Sequence, residues 1–310
     1  MTGKQPESTA LVWNSSSGWA DSQAKAEAIR AILSSRGSAV DVIEVKEGLD
    51  IVTAVKRALD AGTATVIAAG GDGTVNAVAS ALLYRRASLG IIPAGTLNHL
   101  ARDLKLPLDE EEAARGLVAA SETSIDAAMV NGHVFVNNSV LGFFPYYRGI
   151  REKLERCCLG SSKPGRFVAV LLGLCVALWR LPRLTVSYDV NGTQRSLRTP
   201  FVLVGNNEHR MQGWALGART VLNSGCLWIY VMRPHTRWQL LTRVIRVLLG
   251  RMPRESLFEV FSGERITIES TRRRLGVGVD GEVVELNTPL RYESLPGALR
   301  VLIPRSEAAS

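Results

Sequence analysis

Residues 63–104 constrain this chain more than any other stretch, because they twice repeat a short apolar run, a glycine-bearing turn and a helix-like run. Residues 66–69 read as a buried strand, Gly70, Gly71 and Gly73 let the backbone turn tightly and approach a ligand, and Thr74 is placed to cap a helix starting near Val75. In the second copy residues 89–92 are the strand and Pro93-Ala94-Gly95 the turn. Thr96 is the expected cap, and Leu97, Leu100, Ala101 and Leu104 form the apolar helix face. Two helix N-termini opening from neighbouring strands gather unpaired N–H groups, an arrangement suited to the phosphates of a nucleotide.

The same grammar precedes this stretch. Residues 11–13 read as a first strand, Asn14-Ser15-Ser16-Ser17-Gly18 as a polar turn, and residues 21–34 as a helix with Ala24, Ala28, Ile29, Ile32 and Leu33 at helical spacing. A strand at 39–45 and helices at 49–59 and 110–120 complete an alternation that predicts a parallel sheet covered on both faces, with ligands beyond the carboxyl ends of its strands. From about Asp126 the pattern changes to strand-like segments separated by Asn-Gly, Gly-Glu and Asp-Gly turns, which predicts a mainly antiparallel second domain. Helical inserts are expected at 147–179, divided near Lys163-Pro164-Gly165, and at 238–249. Residues 1–125 therefore form an α/β domain that the terminal segment 299–310 rejoins, and residues 126–298 form the mainly β domain.

Composition narrows the partners only slightly. A formal charge of +8 favours an anionic partner, but sign alone does not choose among nucleic acid, anionic lipid and a polyphosphate. No zinc-finger spacing, RNA-binding signature or arginine-rich tail is present, so no nucleic acid is expected, and Arg272-Arg273-Arg274 reads as a solvated turn. Cys157, Cys158, Cys175 and Cys226 form neither a CxxC pair nor a disulfide framework, which points to a reducing cytosol. The N-terminus lacks the apolar core of a signal peptide. The longest apolar run, FVAVLLGLCVALW at 167–179, is shorter than the about 20 residues of a membrane-spanning helix, and burial within the protein is favoured over lipid contact.

Polyphosphate binding suits the turns better than dinucleotide redox chemistry. GGDGT lacks the GxGxxG spacing of dinucleotide folds and the terminal lysine of a Walker A loop. A different cradle remains, in which N–H groups around residues 70–73, the hydroxyls of Thr74 and Thr96, and Asn14 or Ser17 share the phosphates. Asp72 has two readings, an Asx-turn that fixes its own loop or a contact to phosphate through magnesium.

The combination of NSSSG at 14–18, GGDGTVN at 70–76, IIPAGTLNHLAR at 91–102, FVNNSVLG at 135–142, VDGE at 279–282 and LPGALRVLIP at 295–304 resembles the diacylglycerol kinase catalytic-domain superfamily, which includes sphingosine kinases and bacterial lipid kinases. The resemblance covers almost the whole chain. It implies an ATP-binding α/β domain, a β-sandwich-like lipid-substrate domain and an active site in the cleft between them. It places ATP near Asn14, Ser17, Gly18, Gly70, Gly71, Asp72, Gly73, Thr74, Val75, Asn76, Thr96 and Asn98. It makes Glu282 the leading catalytic base and Asp280 a metal or base support, with Mg2+ carried mainly by ATP and touching Asp72 and Asp280. Three departures stand out: His99 where relatives have Asp, Ser224 where an acidic residue holds an additional metal, and Ala77 where an acid is common. The expected activity is phosphoryl transfer to a lipid hydroxyl, diacylglycerol foremost, by a cytoplasmic enzyme that touches the membrane peripherally, and a homodimer is compatible with that reading. Rival readings are an NAD kinase-like phosphotransferase and a non-catalytic nucleotide- and lipid-binding regulatory module.

Overall fold

The computed structural model describes residues 8–14, 22–35, 39–45, 50–155, 184–190, 193–209, 219–233 and 258–304, with positions 165, 168–170, 172, 173, 176 and 179 between them. The chain forms two compact units. The first contains residues 1–127, 222–224 and 295–310, and the second residues 128–221 and 225–294.

The first unit alternates strand and helix: β1 (Thr9–Asn14), α1 (Ser22–Ser34), β2 (Val40–Val45), α2 (Ile51–Asp60), β3 (Thr65–Gly70), α3 (Asp72–Leu82) and β4 (Ser88–Pro93). Two short helices follow, α4 (His99–Asp103) and α5 (Glu110–Val118), and then β5 (Ala120–Val130), which carries the chain into the second unit. β1 pairs in parallel with β2 and β3, and β3 with β4. The chain's last strand, at 290–304, returns parallel to β4 at Val301 opposite Leu89. β3 and β4 are apolar and buried along nearly their whole length, as central parallel strands are, whereas the edge strand β2 alternates toward solvent. Leu11, Trp13, Ile29, Ile67, Ile92 and Leu117 fill one core of this unit. Asp50 and Asp109 cap α2 and α5 by accepting from Thr53 N at 3.3 Å and Glu112 N at 3.0 Å.

The second unit continues with β6 (His133–Phe135), β7 (Asn138–Gly142), α6 (Phe143–Leu154), β8 (Leu184–Val190), β9 (Thr193–Thr199), β10 (Phe201–Asn206) and β11 (Leu227–Met232). β12 (Phe258–Gly263), β13 (Arg265–Ser270), β14 (Arg274–Val279), β15 (Glu282–Asn287) and β16 (Leu290–Pro304) complete the chain. One sheet of this unit runs β16-β13-β8-β9 and the other β12-β11-β10-β7-β14-β15, with antiparallel neighbours throughout. Phe135, Leu141, Val204, Ile229, Ile268 and Val277 belong to the core shared by strands of both sheets. The expected α/β and antiparallel β architecture is the one observed. Its hairpins turn where the dipeptides foretell: Asn131-Gly132 has φ 45° and 87°, and Asp280-Gly281 has φ 45° and 89°, the positive pair of a type I′ turn.

Some local expectations need correction. Thr74 does not cap a helix, because α3 already starts at Asp72 with Gly71 as its N-cap. Nor does Thr96, since α4 begins only at His99 behind Asn98, whose φ of 51° is left-handed, and Leu97 is 58% exposed instead of facing the core. The insert at 238–249 and the turn residues Lys163 and Pro164 lie outside the described residues. Arg272-Arg273-Arg274 is exposed around the turn from β13 to β14, as expected, and the Thr288 hydroxyl donates to the Arg272 carbonyl at 2.8 Å.

Candidate functional site

The two glycine turns of the first unit are one structure. β3 and β4 run side by side, so their C-terminal turns meet, and Ala94 N donates to the Gly70 carbonyl at 3.0 Å. The backbones touch at Gly71 and Gly95: a Cβ built on Gly95 would lie 2.6 Å from Gly71 Cα, so no side chain fits there. Asp72 clamps the pair, accepting from Asn98 N at 3.0 Å with one carboxylate oxygen and from His99 N at 2.7 Å with the other. Its bonds therefore cross to the second turn instead of closing an Asx-turn in its own loop. Asn98 staples that second turn, its side chain accepting from Gly95 N at 2.9 Å and donating to the Gly95 carbonyl at 2.8 Å.

This clamp leaves the start of α3 open. Val75 N donates to the Gly71 carbonyl at 3.1 Å, so the N–H groups of Asp72, Gly73 and Thr74 precede the first intrahelical bond. Those donors sit at the positive end of an 11-residue helix, where an anion is favoured. Thr74 is buried and its hydroxyl accepts from Asn14 Nδ2 at 3.1 Å, which ties the end of β1 to the same turn. A Cβ at Gly70 would meet that hydroxyl at 2.7 Å, the reason glycine stands there. Val75 is a core residue. Asn76 Oδ1 is enclosed with no hydrogen-bond partner among the described residues, an acceptor that a bound group's donor would satisfy. Thr96 is exposed, and Ser17 and Gly18 lie outside the described residues.

In the second unit the Asp280-Gly281-Glu282 hairpin gives its two acids different surroundings. The Asp280 carboxylate accepts from Val136 N at 2.7 Å and from Asn137 N and Asn138 N at 2.9 Å each. Burial pushes its pKa up to about 6, against the pull of those three donors and of Arg219 in the opposite direction. Arg219 is buried behind the same corner and donates to the Val136 carbonyl, to the Asn206 carbonyl at 2.9 Å and to Asn137 Oδ1 at 2.9 Å. Glu282, one residue past the turn, opens β15 with its side chain exposed, and Arg148 of α6 donates to the Gly281 carbonyl beside it. A carboxylate held by three backbone donors is an anchor. An exposed one at a hairpin tip is available for proton transfer.

Asn14, Gly70, Gly71, Asp72, Thr74, Gly95 and Asn98 thus form one bonded group in the first unit, while Asp280 and Glu282 belong to the second. Arg219 carries no motif, and sequence reading overlooks it. The neighbouring Asn206-Asn207-Glu208-His209 run was the available signal: Asn206, Asn207 and His209 are all buried, and His209 bridges to Arg219. Among the described residues no three His, Cys, Asp or Glu side chains converge as a metal site requires. Asp72 and Asp280 already receive backbone donors, and Ser224 is exposed, so the described residues do not fit a protein-built Mg2+ site.

Fold and turns together define a parallel α/β unit with two clamped glycine turns at the C-terminal ends of its strands, joined in one chain to a two-sheet antiparallel unit. Residues 8–130 match the family described as diacylglycerol kinase catalytic domain, and residues 163–303 match the YegS C-terminal NAD kinase beta sandwich-like domain. A Pseudomonas aeruginosa protein named "Probable lipid kinase YegS-like" is 31% identical over 91% of each chain, and a Yersinia enterocolitica protein of the same name is 30% identical over 81% of this chain and 82% of its own. A crystal structure of a diacylglycerol kinase from Bacillus anthracis superposes with a TM-score of 0.72 over 97% of this chain and 98% of that one, at 23% identity, a likeness of fold. The chain belongs to the diacylglycerol kinase catalytic-domain superfamily, in its YegS-like group of lipid-kinase-like phosphotransferases.

Proposed function

We propose that this protein transfers the γ-phosphoryl group of ATP to the hydroxyl of a lipid, with diacylglycerol as acceptor. The observation that carries the proposal is the clamped pair of glycine turns, packed so closely that a side chain at Gly95 would collide with Gly71, which starts α3 with the N–H groups of Asp72, Gly73 and Thr74 ahead of its first intrahelical bond. The N–H groups of Asp72, Gly73 and Thr74 hold phosphate oxygens. Glu282 accepts the proton of the lipid hydroxyl as its oxygen bonds to the γ-phosphorus and the bond to the bridging oxygen of ADP breaks. Asp280 keeps the hairpin in place through Val136, Asn137 and Asn138. Mg2+ would travel with the ATP phosphates, and no step is assigned to a protein-held ion. The reaction belongs in the cytoplasm at the membrane surface, where ATP and acceptor meet.

Labelled ATP offered with diacylglycerols, sphingoid bases and NAD tests the proposal. Label on diacylglycerol, lost in Glu282→Gln with ATP binding retained, is the expected result. Transfer to NAD and to no lipid would establish the NAD kinase-like rival, and binding without transfer to any acceptor would establish the regulatory module.

A further inference from the structure

Arg219 lies where an arginine is least favoured, 4% exposed inside the second unit. Stability alone does not account for it, because exchanging buried ionic groups for well-packed apolar ones is often neutral or stabilising. Its hydrogen bonds do account for it. One guanidinium nitrogen donates to the carbonyls of Val136 and, at 2.9 Å, Asn206, and a second donates to Asn137 Oδ1 at 2.9 Å. The Asp280 carboxylate holds the same corner by its N–H groups, at Val136, Asn137 and Asn138. Two side chains thus grip one stretch of backbone by opposite groups, the acid taking its donors and the guanidinium its acceptors. Arg219 is itself fixed. Its backbone bridges to His209, whose N–H donates to the Tyr230 hydroxyl at 3.0 Å and whose carbonyl accepts from that hydroxyl at 3.2 Å.

We infer that Arg219 is a positioning residue for phosphoryl transfer: by fixing the corner at 136–138 it sets where the hairpin tip presents Glu282. The path from one to the other is short. Asp280 N donates to the Asn138 carbonyl at 2.9 Å, β14 pairs with β7 as far as Val279 opposite Ser139, and Glu282 follows Asp280 after a single glycine. A shift of the corner therefore shifts the carboxylate, and a misplacement of about 1 Å costs catalysis on the order of a hundredfold. Arginine suits the task because its rigid fork reaches acceptors on two segments at once, whereas the ammonium of lysine is a single point. The inference rests on Glu282 being the proton acceptor of the proposed activity.

The test compares wild type with Arg219→Lys, which keeps the charge and loses the fork, by hydrogen exchange and by transfer of labelled phosphate from ATP to diacylglycerol. Exchange at the Val136, Asn137 and Asn138 amides should accelerate about tenfold or more, while residues 66–69 of the first unit exchange as in wild type. Counted per ATP-binding chain, kcat should fall by about tenfold to a hundredfold with the KM for ATP within about twofold, because the glycine turns belong to the first unit. Should Arg219→Lys not fold, Asn137→Ala decides by the same readings, since it removes one acceptor of the fork and leaves the backbone donors to Asp280 in place. Wild-type exchange at the corner overturns the inference. So does faster exchange with kcat per ATP-binding chain unchanged, which would leave Arg219 a packing residue, and so does a raised KM for ATP with unchanged kcat. Exchange is read without turnover, so a wild type that phosphorylates no acceptor overturns the proposed activity, while the corner amides still decide whether Arg219 holds the hairpin.

Discussion

At the scale of single residues, two glycines with the same motif role prove unequal. A Cβ on Gly71 would have its nearest neighbour, Gly95 Cα, at 3.4 Å, an ordinary contact, while one on Gly95 would collide with Gly71 Cα and come within 2.9 Å of Asn98 Oδ1. Gly95→Ala should therefore destabilise the protein by about 1–3 kcal/mol and raise the KM for ATP, whereas Gly71→Ala should melt close to wild type. Thermal melts and ATP titrations of the two variants check the difference. Asp280 invites a pH experiment. Burial raises its folded pKa to about 6 from 3.8, so the stability associated with its neutral form is fully present below the lower value and is lost as pH rises through the upper one. Asp280→Asn does not titrate at this position. The melting temperature of wild type relative to that variant should fall between pH 4 and pH 7, and a pH-independent difference would show that burial does not dominate there.

At the scale of elements, capping decides where helices begin, and here sequence and structure part company most instructively. Asp109 accepts from Glu112 N and precedes three glutamates in the first turn of α5, a start legible from sequence. Asp109→Ala should cost about 1 kcal/mol, read as a lowered denaturation midpoint with unchanged ATP binding. Thr74 and Thr96 look equally good as caps, yet neither serves. The turn at Gly71 starts α3 three residues earlier than expected, and a side chain from β1, Asn14, claims the Thr74 hydroxyl. In the second turn Asn98 and Asp72 satisfy the backbone that Thr96 was expected to serve. Local propensity named the right kind of residue, and a long-range bond chose which one. The same holds for His99: its replacement of an acid attracts notice in the sequence, but its backbone N–H holds Asp72, a contact open to any residue except proline.

At the scale of the whole molecule, alternation of period determined most of the architecture. Apolar strands followed by amphipathic helices required a parallel sheet, and strands joined by Asn-Gly and Asp-Gly turns required antiparallel pairing, because backbone hydrogen bonding and burial allow few other solutions. The family, the clustered glycines and the acidic hairpin were legible as well, since each is a local pattern. Tertiary structure alone decided what the acids do. Asp72 became a clamp between turns 26 and 27 residues apart, and Asp280 an anchor for a corner more than 140 residues away. Arg219, silent in the sequence, joined that corner. Hydrogen-bond partners distant along the chain are fixed by packing, which no local pattern of residues records.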